Sequence, residues 1–513
     1  MSAQPVDIAS IAPVEAQESR GQARAGLAMS IATFSMAAAS AIQAVLYFGH
    51  FGTNSRTDGF FVAFAVYTTF GVFCQSMRLT SVPMLVEPGA RMTVRELAAA
   101  VGLIAVPVLL ATIPLAGPVA HALAPGLDAE GRGVTQSALP LLGGAMVLQL
   151  WAAAAATVLA IRGCFGPVAT AYVAGAAAGL AAFVLLVGAT GELTLGWSML
   201  AMAAVTCVVM LNGVRASGGL GARAASVRLR RVVRQTGLLL GQTFIYLAFN
   251  MLLLVTLAFA SRHAAGSATV LSYAYLYASY LVAGTSMALG MSRIPELTRD
   301  ARDSERQEAV ARSIPQGFRY AVLVVAPALA LLIAVGAQIV HGLFPASLDA
   351  AEADTMRTFA ALLAPWTLAS LLVNFLLPSM FALGRGRLVN LLALPLVATH
   401  VLATVVGNAL FGVDGAVGAF VVAPGCLALV LLAVTTGQAR KRLARELGAD
   451  AVRFGALAAV AFGAGAMTLL ASGGTIAALA GATVGACLYV AGLAIVARPQ
   501  IEVLLAAVRP ASA

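Results

Sequence analysis

The sequence predicts an all-α polytopic membrane protein with about fourteen transmembrane helices. Of its 513 residues, 60% are hydrophobic and only 10% are charged, and the mean hydropathy is +0.92. Soluble globular domains contain about 25% charged residues. The apolar segments are continuous and do not alternate with polar residues. They therefore favour helices over a membrane β-barrel, the only other architecture that satisfies every backbone polar group in lipid.

The predicted helices follow from segments of about 20 apolar residues, the length that crosses roughly 30 Å of hydrocarbon. The first 26 residues are polar and lack the apolar core and cleavage site of a secretory signal, so we expect the first helix to remain in the mature chain. The predicted spans are 27–50, 59–86, 96–124, 134–161, 165–190, 193–214, 232–260, 267–293, 317–343, 356–383, 388–411, 413–437, 453–472 and 475–497.

The basic residues predict the orientation of the chain, because cytoplasmic loops of membrane proteins carry an excess of Lys and Arg. An amino terminus in the cytoplasm places all but four of the 31 Lys and Arg residues on cytoplasmic loops or helix ends, the exceptions being Arg56, Arg132, Arg262 and Arg357. Both termini are therefore predicted to be cytoplasmic. The net charge of +10 then reflects topology and contact with anionic membrane lipids, and we expect no nucleic-acid partner.

Motifs for metal binding, disulfides and nucleotide hydrolysis are absent from the sequence. The five cysteines form no CxxC pair, the five histidines are not at ligand spacing, and no GxxxxGK[ST] loop occurs. We therefore expect no metal, no cofactor, no catalytic residue and no ATPase activity or evident ATPase subunit. Any transport must be driven by a gradient, the membrane potential or the concentration of the cargo.

An internal repeat divides the predicted helices into two groups. HALAPGLD begins at His121 and HGLFPASLD begins at His341, 220 residues later, and Pro107 and Pro327 precede them at the same spacing. Further pairs occur in the same order: Pro83 with Pro295, Pro140 with Pro365, and Arg162-Gly163 with Arg385-Gly386. The sequence therefore predicts an N-lobe (27–214) and a C-lobe (232–437) of six helices each. The last two helices (453–497) are appended, and segments 1–26, 215–231, 438–452 and 498–513 are cytoplasmic.

The predicted lobes imply alternating access. Because six is an even number, both lobes begin on the same side of the membrane and are related by an axis along its normal. Such parallel repeats occur in transporters whose substrate cavity lies between the lobes near the bilayer midplane.

Three stretches carry a family resemblance: FGTNSRTDGFFVAF (Phe51 to Phe64), VVRQTGLLLG (Val232 to Gly241) and SYAYLYASYLVAGTSMALGMSRIPEL (Ser272 to Leu297). They resemble the MurJ/MviN lipid II flippases of the multidrug, oligosaccharidyl-lipid and polysaccharide (MOP) exporter superfamily. The resemblance implies a multi-pass protein of the bacterial plasma membrane, acting in cell-wall or polysaccharide biogenesis. Its substrate would be a polyprenyl-pyrophosphate-linked glycan, moved from the inner to the outer leaflet.

The chain departs from this family where the family has cavity arginines. The first helix, IATFSMAAASAIQAVLYFG, contains no basic residue, and VYTTFGVFCQSM occupies the position of the paired arginines in the second. In the eighth helix, Tyr275 and Leu276 replace an Asp-Arg pair. None of the family's cationic residues can therefore be assigned to this chain.

Polar residues within the predicted spans are the candidates for substrate binding, since polar groups in a membrane helix are by default functional. Arg78 and Arg293 alternatively mark cytoplasmic helix ends. Tyr273, Tyr277 and Tyr280, spaced i, i+4 and i+7 on one helix face, either stack on sugar rings or pack between the lobes. The predicted substrate-binding residues are Gln43, Tyr47, Gln75, Arg78, Asn250, Tyr273, Tyr277 and Arg293.

Two other functions remain open at the level of sequence. A drug or metabolite exporter of the related MATE branch is expected to have a membrane-embedded carboxylate, whereas Asp58, Glu87, Asp349 and Asp414 all lie at predicted loop edges. A non-transporting MurJ-like membrane scaffold is compatible with the missing arginines. The flippase is the leading prediction.

Overall fold

The computed structural model describes residues 35–36, 38–40, 42–86, 92–218, 229–287, 303–343, 349–436, 440–472 and 474–496. Within these ranges the regular secondary structure is entirely helical, as predicted. Helix α1 includes residues 42–51. The following helices are α2 Ser55–Val86, α3 Val94–Thr112 with Ala116–Leu123, α4 Ala129–Ile161, α5 Phe165–Leu186, α6 Thr194–Ala216, α7 Leu229–Ala260, α8 Ser267–Val282, α9 Asp303–Leu331 with Ala337–Leu343, α10 Ala350–Ala382, α11 Gly386–Leu391 with Ala393–Gly418, α12 Val422–Thr436, α13 Arg440–Ser472 and α14 Gly474–Val496.

The helices agree with the fourteen predicted spans. Eleven segments of the described residues are long and apolar enough to cross a membrane. One of them, Gly386–Thr436, contains the two spans α11 and α12, and a kink at Gly412 (φ 63°), near the end of α11, separates them. The remaining two spans are α1 and α8, of which the structure describes only part. The predicted all-α membrane fold is confirmed.

The sequence repeat corresponds to a repeated break in α3 and α9. A proline removes a backbone donor and its ring clashes with the preceding helical turn. After Pro107, α3 ends at Thr112 and continues as a short helix with His121 in its last turn. After Pro327, α9 passes through the π-helical turn Leu332–Gly336 into a short helix with His341 in its last turn.

The end of each repeated phrase begins the next helix. Asp349 is the N-cap of α10, where its carboxylate accepts a hydrogen bond of 2.7 Å from the amide of Glu352. Asp128 precedes α4, and its carboxylate accepts a hydrogen bond of 2.8 Å from the amide of Gly131. Such bonds satisfy amides of the first helical turn, which have no partner within the helix. In both copies, the phrase thus begins in the last turn of one helix and ends with an aspartate that accepts a hydrogen bond from the first turn of the next.

The described helices form two compact units. Unit 1 contains residues up to Gln43, Phe70–Pro114 and Leu139–Thr243. Its apolar core includes Met77, Leu97, Leu150 and Leu239, each at most 1% exposed. At its edge, Arg231 of α7 lies 3.3 Å from the buried carboxylate of Glu96 in α3. The first half of α7 therefore belongs to unit 1.

Unit 2 contains Ala44–Thr69, Leu115–Ala138 and the residues from Phe244 onward. It thus contains one end of each of the helices α1, α2, α3 and α4. It also contains the second half of α7 and the whole of α8 to α14. The appended helices contact α9 in this unit: Arg319 forms an ion pair of 2.8 Å with Asp450 of α13, and the Tyr489 hydroxyl of α14 donates to the Leu323 carbonyl at 3.0 Å. The boundaries predicted for the two lobes remain a prediction.

Candidate functional site

The α1–α2 junction, residues 52–58, is a tight turn at one end of unit 2. Gly52 has φ 64°, the left-handed conformation that commonly ends a helix and that glycine adopts without strain. Asn54 then caps α2, because its side-chain oxygen accepts hydrogen bonds from the amides of Arg56 (2.9 Å) and Thr57 (3.0 Å). The sequence Gly-Thr-Asn therefore reverses the chain within three residues.

Asp58, in the first turn of α2, caps a different helix. Its carboxylate accepts hydrogen bonds from the Gly266 amide (2.8 Å), the Thr269 amide (2.7 Å) and the Thr269 hydroxyl (2.6 Å). Gly266 precedes α8 and has no side chain to cap that helix. Amides at a helix start carry partial positive charge, which a carboxylate stabilises. The side chain of Asp58, only 1% exposed, thus links α2 to the start of α8.

Two further contacts attach the junction to other helix starts. The Ser55 hydroxyl donates to the Asp128 carboxylate at 2.6 Å, next to α4. This hydrogen bond lowers the pKa of the Asp128 carboxyl, and the hydrogen bond from the Gly131 amide lowers it to a smaller extent. The Thr53 hydroxyl donates to the carboxylate of Glu352, in the first turn of α10. The junction therefore contacts the starts of α4, α8 and α10.

Glycines allow the helices near the junction to approach closely. A Cβ atom on Gly59 of α2 would overlap the carbonyl oxygen of Gly131 in α4. The Thr135 hydroxyl of α4 donates to the Gly59 carbonyl at 2.8 Å, so a side chain of α4 also bonds to the backbone of α2 here. Gly126, within the first repeated phrase, similarly lies against the Ser261 carbonyl at the end of α7.

An aromatic group fills the space between α1, α2 and α8 in unit 2. The centroid of the Tyr273 ring lies 4.9 Å from those of Phe48 and Phe61. The Tyr47 ring is 5.2 Å from Phe60 and 5.7 Å from Phe61. These separations are typical of stabilising aromatic pairs. All five side chains are buried, so α1, α2 and α8 pack against one another through these rings.

The predicted tyrosines and Asn250 make contacts within the protein. The Tyr273 hydroxyl donates to the Ala44 carbonyl and the Tyr277 hydroxyl to the Ala328 carbonyl, both at 3.0 Å. The Asn250 amide donates to the Tyr246 carbonyl at 3.0 Å. Tyr47 belongs to the aromatic group. Substrate binding by these four residues stays a prediction.

The other predicted site residues have different surroundings. Gln43 is fully buried in unit 1, where neither polar atom of its amide has a hydrogen-bond partner among the described residues. A Cβ atom on Gly179 of α5 would lie 3.0 Å from its Nε2. Gln75 and Arg78 lie on α2, but their side chains are outside the described part of the structure, as is the whole of Arg293.

The sequence predicts no role for Asp58, Thr53 or Ser55. From sequence alone, Asp58 is only a carboxylate at a predicted loop edge. The available signal was the stretch Phe51 to Phe64, in which a polar turn precedes three phenylalanines. The partners of Asp58 could not be identified from that stretch, because Gly266 is 208 residues away in the sequence.

A family model described as "Lipid II flippase MurJ" matches residues 49–486. The chain belongs to the MurJ lipid II flippase family. The match begins near the end of α1, includes the α1–α2 junction and ends within α14. No curated protein matches this sequence significantly.

Solved structures of MurJ and of MATE transporters share the fold. A structure of lipid II flippase MurJ in an inward closed conformation has a TM-score of 0.69 and 13% identity, with 92% of this chain and 99% of that one covered. A mutant of the MATE transporter VcmN of Vibrio cholerae has a TM-score of 0.59 and 11% identity, covering 82% and 97%. The eukaryotic MATE transporter AtDTX14 has a TM-score of 0.55 and 15% identity, covering 84% and 98%. The MOP superfamily fold predicted from the sequence is confirmed.

Proposed function

We propose that this MurJ family member is an alternating-access flippase. It moves a polyprenyl-pyrophosphate-linked glycan, such as lipid II, from the inner to the outer leaflet of the bacterial plasma membrane. Family membership across most of the chain supports this class of cargo. The observation that carries the mechanism is the closed α1–α2 junction, in which Asp58 caps α8.

The distribution of Lys and Arg supports an orientation in which the junction faces the outside. With the amino terminus in the cytoplasm, α1 ends and α2 begins on the outer side, and α7 ends and α8 begins there too. The Asp58 contacts and the aromatic group then close the outer end of the protein. Cargo released to the outer leaflet requires this end to open, so the hydrogen bonds from Gly266 and Thr269 to Asp58 must break in each cycle.

Hydrogen bonds of this kind are suited to a reversible closure. A hydrogen bond to a charged group contributes about 1.5–3 kcal/mol, and water can replace each partner when the end opens. The carboxylate and the helix amides therefore exchange protein contacts for hydration. The aromatic group has no such replacement in water, which favours the closed state until cargo or a driving ion opposes it.

The pyrophosphate of the cargo must be neutralised without the family's cavity arginines. An unpaired charge in a low-dielectric cavity costs several kcal/mol. Arg78 and Arg293, at the predicted cytoplasmic ends of α2 and of the eighth span, are the proposed capture groups on the entry side. Gln43, Gln75 and Asn250 are proposed to donate hydrogen bonds deeper in the protein, and Tyr47, Tyr273 and Tyr277 to contact the sugars.

The buried carboxylates give no support to a MATE-like drug exporter. Among the described residues they are Asp58, Glu96 and Asp450. Each has a structural partner: the start of α8, Arg231 and Arg319 respectively. None of the three is a free acid for exchanging a cation with a drug.

Rescue of bacteria depleted of their lipid II flippase tests the function and the cargo together. We expect the wild-type chain to restore growth and Asp58→Ala to restore it poorly at equal expression. Asp354→Ala is the matched control, because Asp354 is exposed and pairs with Arg357 within α10. No rescue by the wild-type chain would exclude lipid II as the cargo. Equal rescue by Asp58→Ala would contradict the role of the junction.

A further inference from the structure

A buried histidine lies in the interior of unit 2. His400 is on α11, before the break at Gly412, and its side chain is 0% exposed. Its ring contacts α7 on one side and Phe420, in the turn leading to α12, at a centroid distance of 5.1 Å on the other. The proposed flipping mechanism assigns no role to His400.

The contacts of His400 fix where its proton lies. Nε2 is 3.0 Å from the Leu252 carbonyl oxygen and 3.0 Å from the Thr256 hydroxyl oxygen. The Thr256 hydroxyl itself donates to the Leu252 carbonyl at 3.1 Å. A carbonyl can only accept, so Nε2 carries the hydrogen. Nδ1 is then an unprotonated nitrogen, and it has no hydrogen-bond partner among the described residues.

The surroundings of His400 hold it neutral in this state. The residues against the ring are Leu252 and Thr256 of α7, Thr404 of its own helix, and Phe420. None of them is charged. Phe420 in turn contacts Tyr275 of α8 and Trp366 of α10 at 5.7 and 5.4 Å, and the Trp366 indole nitrogen is also without a partner in the described part of the chain. An imidazolium here would be an uncompensated buried charge, which is strongly unfavourable.

A polar stripe connects His400 to the end of the protein where the junction lies. His400, Thr404 and Asn408 are four residues apart and share one face of α11. The Thr404 hydroxyl is 3.4 Å from His400 Nε2. Asn408 Oδ1 is 3.0 Å from Nε2 of His263, an exposed residue just after α7. The stripe therefore follows the α7–α11 contact from an exposed pair to the buried imidazole, across a span that is mostly apolar.

We propose that His400 is a proton-binding site through which the flippase uses the proton gradient. When the outer end opens, a proton from the outer solution binds Nδ1 and converts the imidazole to imidazolium. As the outer end closes, the ring loses that hydration, so its proton leaves to the cytoplasm and the imidazole returns to the neutral form that accompanies the closed junction. One proton moves inward for each lipid moved outward. Water that enters along the stripe in the open state hydrates the charged ring, so protonation favours opening.

This inference rests on the proposed flippase function, and flipping in vesicles tests both. A pH difference is imposed at constant membrane potential on vesicles that contain a fluorescent polyprenyl-pyrophosphate glycan. Exchange of one proton per lipid multiplies the outer-to-inner ratio of the lipid at equilibrium by about tenfold per pH unit. We expect this response for the wild type and for His341→Gln, a histidine in the last turn of α9. His400→Gln keeps a donor toward Leu252 but cannot take up a proton, so it should flip lipid without any response to the pH difference.

Hydrogen exchange gives a readout that does not depend on the cargo. The amides of Gly266 and Thr269 donate to Asp58 and become exchangeable when the outer end opens. Acidification of the wild-type protein should raise their exchange rate relative to His400→Gln measured at the same pH, and His341→Gln should behave as the wild type. Asn408→Leu, which interrupts the stripe, should slow the pH-driven flipping rate without changing the final lipid ratio.

The outcomes separate the two proposals. Wild-type flipping that ignores the pH difference, or an equal response in His400→Gln, overturns the proton site and leaves the flippase intact. An absence of any lipid flipping overturns the proposed function. In that case the exchange experiment still decides whether protonation of His400 opens the outer end: equal pH dependence in the wild type and in His400→Gln overturns the inference.

Discussion

Asp58 shows how one side chain can connect two distant parts of a membrane protein. Its three donors all belong to the start of α8, and it has no competing charge among those contacts. Loss of a helix cap costs about 0.5–2 kcal/mol. The stability of the closed outer end therefore depends measurably on this carboxylate.

The first prediction concerns Asp58→Ala. The amides of Gly266 and Thr269 lose their acceptor, so we expect their hydrogen exchange to accelerate by about 5- to 30-fold, the factor that corresponds to 1–2 kcal/mol. Asp58→Asn should have a smaller effect, because an amide oxygen can still accept one bond. Asp354→Asn serves as the control at the start of α10. Unchanged protection of both amides in Asp58→Ala would show that the cap contributes nothing to closure.

The second prediction concerns the capture of pyrophosphate. Arg78→Ala and Arg293→Ala should each impair flipping more than Arg228→Ala in the basic cytoplasmic linker, without loss of membrane insertion. Charge reversal, Arg78→Glu, should be worse than neutralisation because it repels the anion. The measurement is the initial flipping rate at equal amounts of inserted protein. Normal rates for both neutral variants would identify these arginines as topological anchors.

The sequence could identify the interior polar residues but not their partners. Tyr47 and Tyr273 were predicted to lie within the lobes, and both are buried. The acceptor of the Tyr273 hydroxyl is the Ala44 carbonyl, 229 residues away, and a backbone carbonyl carries no sequence signal. The role of Asp58 was missed for the same reason. The spacing of the histidines gives no signal for His400, because its neighbours Leu252 and Thr256 lie on a different helix.

At the scale of elements, the length of the apolar runs predicted the helices well. Continuous runs define spans because a helix satisfies its own backbone in lipid. The π-helical turn of α9 and the complete break in α3 were not predicted, since a proline indicates a kink but not its form. The pairing of Pro107 with Pro327 nevertheless identified where both interruptions occur.

The third prediction concerns the contact between α2 and α4. A Cβ atom on Gly59 would overlap the Gly131 carbonyl oxygen, so Gly59→Ala must separate the two helices. Overpacking of this kind costs about 1–3 kcal/mol, and we expect a lower melting temperature. Gly133→Ala is the matched control, because an added Cβ there meets no atom within 4 Å and alanine favours the helix. Equal melting temperatures of the two variants would contradict the close approach.

At the scale of the whole molecule, the repeat predicts a relation between the two predicted lobes. In a structure determined in a lipid bilayer, residues 27–214 and 232–437 should superpose by a rotation about the membrane normal. Pro107 should then overlay Pro327, and His121 should overlay His341. The even number of helices in each lobe requires this parallel relation. Lobes related by inversion, or unrelated positions of these prolines, would contradict the prediction.

The central claim is that the chain moves a lipid-linked glycan across the bilayer, and a flipping assay in vesicles tests it directly. Purified protein is reconstituted with fluorescent lipid II in both leaflets, and a membrane-impermeant quencher is added outside. Vesicles with the wild-type chain should lose the fluorescence of both leaflets over time, whereas protein-free vesicles lose that of the outer leaflet alone. Asp58→Ala should lower the rate at which the inner-leaflet fluorescence is lost, in agreement with its expected poor rescue of growth. If vesicles with correctly inserted protein behave as protein-free vesicles for lipid II and for other polyprenyl-pyrophosphate glycans, the chain is not a flippase of this class.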